Sequence, residues 1–217
     1  MTSSPSLTLR PLQRTELLEA ARLVGDGMSN NPANIRAFGI DSKHRSRALE
    51  RFFVPVLNGL YLRGAVLGAF CNGTLVGVCG MARPGMCQPT MVEKLRILPS
   101  VVFGNPLGTP LRVVQWTGAW ARRDLTEPHW HLGPVAVDPQ LRGQGIGTAM
   151  MHAFCTFMQE CRSLSYLETD KAENVGFYQK FGFTVVGEAE VLGVPNWFMS
   201  RPAEGVSVPG CSSGRIA

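Results

Sequence analysis

Three glycines stand on alternate positions in Arg142-Gly143-Gln144-Gly145-Ile146-Gly147-Thr148, between the apolar run Val135-Ala136-Val137 and a helical pattern. Glycines remove side chains where a chain bends, so the N–H groups of residues 143 to 148 can converge on one anion at the positive end of the helix that follows. The chemistry such a turn offers is the holding of a phosphate. A nicotinamide site asks for Gly-x-Gly-x-x-Gly, but the third position is Thr148 in one register and Met150 in the other. Glu168 does lie about twenty residues further on, where that motif places its acidic residue, yet the remaining chain has too few strands for the parallel sheet required. No Gly-x-x-x-x-Gly-Lys-Ser/Thr occurs, which removes the P-loop.

Two other groups of residues raise chemistry. His129 and His131 alternate along a strand and share a face, as a metal pair would, but no carboxylate or cysteine accompanies them at ligand spacing. No metal is expected there. The six cysteines, Cys71, Cys79, Cys87, Cys155, Cys161 and Cys211, form no Cys-x-x-Cys pair and read as small reduced core residues.

The elements that must position these residues follow from periodicity. Leu7 to Arg10 is a strand, and Gln13 to Val24 is a helix with apolar residues at Leu17, Leu18, Ala21 and Val24. Arg45 to Leu62 is helical and interrupted at Pro55. Ala65 to Cys71 and Leu75 to Ala82 make a hairpin about Asn72-Gly73, which pairs Cys71 with Thr74 and sets Cys79 near Val66. The proline-rich middle, Arg83 to Glu127, yields one helix, Leu111 to Arg122. Beyond it come a strand (His129 to Val137), a helix (Gly145 to Arg162), a strand (Ser165 to Thr169), a short helix (Ala172 to Phe181) and strands over Phe183 to Val191 and Asn196 to Ser200. In the long helix Ile146, Ala149, Met150, Ala153, Phe154, Phe157, Met158 and Cys161 form one core stripe. Proline at Gly133-Pro134 gives no ladder N–H, so a bulge is expected just before Val135.

Arg142-Gly143-Gln144-Gly145-Ile146-Gly147 matches the Arg/Gln-x-x-Gly-x-Gly/Ala signature of the GCN5-related N-acetyltransferases, and the chain resembles that family. Asn174-Val175-Gly176-Phe177-Tyr178-Gln179-Lys180-Phe181-Gly182-Phe183 matches a later motif of the same family. The pattern Gln140 to Gly145 also fits the first signature, and distance from Val137 favours Arg142. The layout from Glu127 to Val185 most resembles puromycin-type and related small-molecule acetyltransferases.

The resemblance implies an α/β (α+β) fold, a single domain over residues 6–202 with a mixed central sheet flanked by helices and with strands splayed at the cofactor site. It implies that acetyl-CoA is the co-substrate, that Val135, Ala136 and Val137 offer backbone groups to its pantetheine arm, and that its pyrophosphate lies on Gly143, Gln144, Gly145, Ile146, Gly147 and Thr148 beside Arg142. It gives Tyr178 the role of protonating the departing thiolate. An alkyl amine has an unperturbed pKa of about 10.4, so a base is needed, and Glu168 at its strand end is the candidate. Asn174 either caps the short helix or bonds the pantetheine amide. Trp116, Trp120, Trp130 and Trp197 are core, with one or two free to wall an aromatic acceptor's pocket.

The acceptor expected is a small-molecule amine, with a protein amine, a catalytically silent acyl-CoA sensor and a nucleotide-dependent oxidoreductase as rivals. The family's habit of dimerising allows a homodimer. At 217 residues and 45% hydrophobic composition, the chain holds one substantial core. No apolar run is long enough to span a bilayer and no signal-peptide pattern opens the chain, so a cytoplasmic protein without a membrane partner is expected. The net charge of +5 suits an anionic cofactor. Its densest run, Lys43 to Arg47, has no aromatic platform beside it and reads as a solvated helix face, not a nucleic-acid site. Pro202 to Ala217 reads as a disordered tail, with the domain ending near 202.

Overall fold

The computed structural model describes residues 6–202; the expected tail, 203–217, lies outside them. Strand β1 (Leu7–Pro11) leads through a short 3-10 turn into α1 (Leu17–Gly27), followed by α2 (Pro32–Phe38) and α3 (Ser42–Arg63). The hairpin β2 (Gly64–Cys71) and β3 (Thr74–Ala82) comes next, then α4 (Met91–Val102) and α5 (Thr109–Ala121). The second half runs β4 (His129–Val137), α6 (Ile146–Glu160), β5 (Leu164–Thr169), α7 (Ala172–Gln179), β6 (Thr184–Val191) and β7 (Val194–Arg201). Seven strands form one mixed sheet in the order β1-β2-β3-β4-β5-β7-β6. Among the described residues no helix is long and apolar enough to cross a membrane.

Alternation along the strands divides the core between the two faces of the sheet. Val66 and Val78 pack with Val24, Phe38, Leu49, Phe52, Leu57 and Trp116 from α1, α2, α3 and α5. Leu67, Cys79 and Met81 pack on the other face with Met150, Phe154 and Met158 of α6 and with Tyr178 of α7. The α6 stripe is the one periodicity predicts, with Met151 and Cys155 buried as well.

Several expectations need correction. Pro55 sits inside α3 without ending it. Helices α2 and α4 were not expected; the second announces itself as Thr90-Met91-Val92-Glu93, a capping box in which Thr90 Oγ1 accepts from Glu93 N–H and Glu93 accepts from Thr90 N–H. A bulge between Ala69 and Phe70 shifts the hairpin, so Cys71 faces Thr74 as expected but Cys79 faces Leu67 rather than Val66. Arg45, expected on a solvated face, is buried, and its guanidinium donates to the carbonyls of Ser29 and Gly39. Two carbonyls at the α1–α2 and α2–α3 junctions are thereby satisfied away from water.

Helices α1 and α3 approach closely because Gly25 has no side chain. A Cβ there would meet Glu50 N at 2.8 Å and Ser46 O at 3.0 Å, both backbone atoms that cannot swing aside. Gly25→Val is expected to destabilise the fold by about 1–3 kcal/mol, a loss of roughly 2–4 °C in Tm per kcal/mol for a chain of this size. Thermal denaturation checks it, and an unchanged Tm would contradict this packing.

Candidate active site

The sheet opens between its two parallel strands. β4 pairs with β5 only at His129↔Leu164, Trp130↔Ser165 and His131↔Tyr166. Beyond His131 the strands part, while the other edge of β4 stays on β3 through Val135↔Cys79, Ala136↔Val78 and Val137↔Gly77. The β3–β4 register shifts across Gly133-Pro134, where the proline has no N–H for the ladder. Residues 132 to 137 therefore carry backbone groups on an edge that β5 does not cover.

A cleft of about 600 Å³ occupies the opening. Val135, Ala136 and Val137 line it, together with Arg142, Gly143, Gly145, Ile146, Gly147, Thr148, Asn174 and Tyr178. Gln144 is exposed and is not among the lining residues. Gly143 and Gly145 adopt φ of +79° and +82°, the left-handed region that disfavours side chains. Among the described residues none of the amides from Gly143 to Thr148 makes a backbone hydrogen bond, and the first to do so is Ala149 N, to Gly145 O at 2.9 Å. These orphan donors at the positive end of α6 are what a pyrophosphate needs.

Arg142 donates from Nη2 to the carbonyl of Gly27 at 2.6 Å, so its guanidinium also ties the turn to the end of α1. Asn174 does not cap α7, since Lys171 holds the cap position. Its side-chain amide donates to Thr169 Oγ1 at 3.2 Å, on the cleft wall. Tyr178 is 8% exposed and rests edge-on against Phe177 and Phe183. Burial pushes its phenol pKa up, helped by the nearby Cys79 and Asp170, so it stays protonated at neutral pH.

Glu168 lies on β5 two residues past the last β4–β5 pair, in the strand that borders the opening. Its side chain is 3% exposed, and Oε2 accepts from His131 Nε2 at 2.8 Å. Glu168 and His131 also form part of the wall of a second cavity, of about 550 Å³. The rest of that wall is largely apolar and comes from α3, α4 and α5: Phe52, Val56, Leu95, Leu98, Val113 and Trp120 are among its residues. Trp120 is thus a pocket wall, anchored by its indole N–H to Asn196 Oδ1 at 2.9 Å, while Trp116 and Trp130 are buried in the core.

Sequence spacing did not show what surrounds the two histidines. The fold brings Cys87, from the loop after β3, and Asp124, just after α5, against His129 and His131. Burial opposes the charged imidazole of His129, but Asp124, Cys87 and the Glu127 carbonyl push its pKa up to about 10. His131 is likewise raised, against burial, chiefly by Glu168 and Asp124. Burial works against ionisation of Asp124 too, yet His129, His131 and Gln88 hold its carboxyl well below the usual range. Cys71, Cys79 and Cys87 are free thiols, but Cys161 is disulfide-bonded, which corrects the expectation that all six cysteines are reduced.

A turn of unpaired amides opening the helix after β4, a splay between parallel strands and a carboxylate just past their last pair are thus set side by side in one mixed sheet. Residues 43–183 match the model of the acetyltransferase (GNAT) family, and the chain belongs to that family. It is 36% identical over 67 residues to the peptidyl-lysine N-acetyltransferase YjaB of Salmonella typhimurium, a stretch covering 30% of this chain and 45% of that relative's length. Among solved structures, a histone acetyltransferase HPA2 and related acetyltransferase from Corynebacterium glutamicum superposes with a TM-score of 0.70 at 22% identity, over 94% of this chain and 99% of the other. The PaiA N-acetyltransferase of Thermoplasma acidophilum, solved in complex with coenzyme A, gives 0.56 at 13% identity, over 91% and 99%. These structural likenesses establish the shared fold.

Proposed function

We propose that this chain transfers the acetyl group of acetyl-CoA directly to the amine of a small molecule. The observation that carries the proposal is the position of Glu168. It stands just past the last β4–β5 pair, in the strand that borders the opening, and its side chain lines an apolar cavity of drug-like size, while the cleft with the orphan amides lies along β4. Bound acetyl-CoA supplies an acetyl thioester. The amides of residues 143 to 148 hold its pyrophosphate, and the free edge of β4 at Val135 to Val137 aligns the pantetheine arm and offers donors to the carbonyl oxygen. Glu168 accepts the proton that the acceptor nitrogen loses as its bond to the acetyl carbon forms. As the carbon–sulfur bond breaks, Tyr178 gives its proton to the sulfur. Asn174 lies on the same wall, within the cleft that would hold the pantetheine.

The apolar cavity favours a small acceptor with a hydrophobic or aromatic body and an amine at the Glu168 end, in keeping with the resemblance to puromycin-type enzymes. A lysine side chain on a protein is the competing acceptor, the kind named for the Salmonella relative. A panel of aromatic and aliphatic amines and lysyl peptides, assayed by CoA release, is expected to give the highest kcat/KM with a compact aromatic amine. Preference for the peptides would replace the small-molecule reading; no release with any amine would favour an acyl-CoA sensor.

A further inference from the structure

We propose that Cys87, Asp124, His129 and His131 form a closed tetrahedral zinc site beside the acceptor cavity. Their four ligand atoms lie within 4.8 Å of one another. Three of these residues have a remaining polar atom, and it is engaged elsewhere. His129 Nδ1 lies 2.8 Å from the carbonyl of Glu127, so it carries the hydrogen, and Nε2 is left as a lone pair in the neutral ring. His131 Nε2 donates to Glu168, which leaves Nδ1 as its lone pair. Asp124 Oδ2 accepts from Gln88 at 2.8 Å, leaving Oδ1.

The atoms that remain face one another. His129 Nε2 is 2.9 Å from Asp124 Oδ1 and 3.4 Å from Cys87 Sγ, and His131 Nδ1 is 3.7 Å from Asp124 Oδ1. Asp124 Oδ1 and His131 Nδ1 are buried without a hydrogen-bond partner among the described residues. Lone pairs converging in this way repel unless protons or a cation sit among them. A tetrahedral zinc ion, with bonds of about 2.0–2.1 Å to N or O and about 2.3 Å to S, separates its ligand atoms by roughly 3.3–3.7 Å; the His129–Cys87 and His131–Asp124 spacings fall there, and the His129–Asp124 pair is tighter. One thiolate, two imidazoles and a carboxylate suit a borderline-soft ion of this kind. Histidine ligands that donate their other N–H to a carbonyl and a carboxylate are the usual supporting arrangement of such a site.

Four protein ligands leave no open position, so the role is structural. The ion would clip the loop after β3 and the end of α5 to the start of β4, fixing the helical wall of the cavity and, through His131, the orientation of Glu168. None of this depends on acetyl transfer being the reaction.

The test strips the full-length protein with a chelator and titrates it with Co²⁺, then Zn²⁺. Expected are strong visible d–d bands and a near-ultraviolet thiolate-to-cobalt band, saturating at one ion per chain and displaced by Zn²⁺. Cys87→Ser, checked by circular dichroism for folding, is expected to lose the charge-transfer band and to weaken Zn²⁺ binding at least about tenfold. The wild type decides even if the variant misfolds. Weak, non-saturating Co²⁺ absorption without the thiolate band would overturn the site and leave two protons, not a metal, between these side chains.

Discussion

Tyr178→Phe is expected to lower kcat by about 10²-fold while leaving acetyl-CoA affinity close to wild type. That is the low end of the usual range for a positioned acid. The reason for the low end is the leaving group: a thiolate whose conjugate acid has a pKa of about 8.5 departs without full protonation. Affinity is spared because the change removes a single hydroxyl from a ring already packed on Phe177 and Phe183. The hydroxyl itself has no hydrogen-bond partner among the described residues, so its loss orphans nothing in the protein. Steady-state kinetics beside a calorimetric Kd separates the two effects, and unchanged turnover would remove Tyr178 as the acid.

Glu168→Gln is expected to lower kcat/KM by about 10²–10³-fold at pH 7, with a loss that shrinks as pH rises. An unassisted acceptor must lose its own proton, and an alkyl ammonium does so near pH 10.4, roughly. Wild-type activity, with the carboxylate as base, is expected to depend less steeply on pH in the neutral range. Glutamine keeps an oxygen that accepts from His131 Nε2, so the pocket retains its shape. A structural role would lower activity by a constant factor at all pH values. A loss independent of pH would therefore assign Glu168 to positioning and place the base elsewhere.

What the sequence made legible was local. The glycine turn, the α6 stripe and the Asn72-Gly73 hairpin each declare themselves within a short window, where periodicity and turn chemistry act. Helix α4 carried a readable capping box, but the prolines around it masked the helical pattern, and Pro99 lies inside the helix itself. Arg45 was read as exposed because charge alone was counted; the carbonyls that satisfy it come from residues 29 and 39, whose placement needs the fold. The Cys87, Asp124, His129 and His131 cluster was hidden for the same reason. Cys87 lies 42 positions before His129, and the antiparallel pairing of β3 with β4, which sets Ala82 opposite His131, closes that distance. The splay was expected from resemblance, and the register shows where it begins, at His131↔Tyr166.

The central claim is that the turn before α6 holds the pyrophosphate of acetyl-CoA, and calorimetric titration of wild type and Gly145→Val tests it most directly. Valine disfavours the left-handed backbone of Gly145, so bringing the amides back into line costs about 1–2 kcal/mol, roughly 5- to 30-fold in Kd. The account predicts one site per chain for acetyl-CoA and for CoA, weakened by that factor in the variant, with no heat from NADPH. Binding of NADPH, or CoA binding indifferent to Gly145→Val, would contradict it.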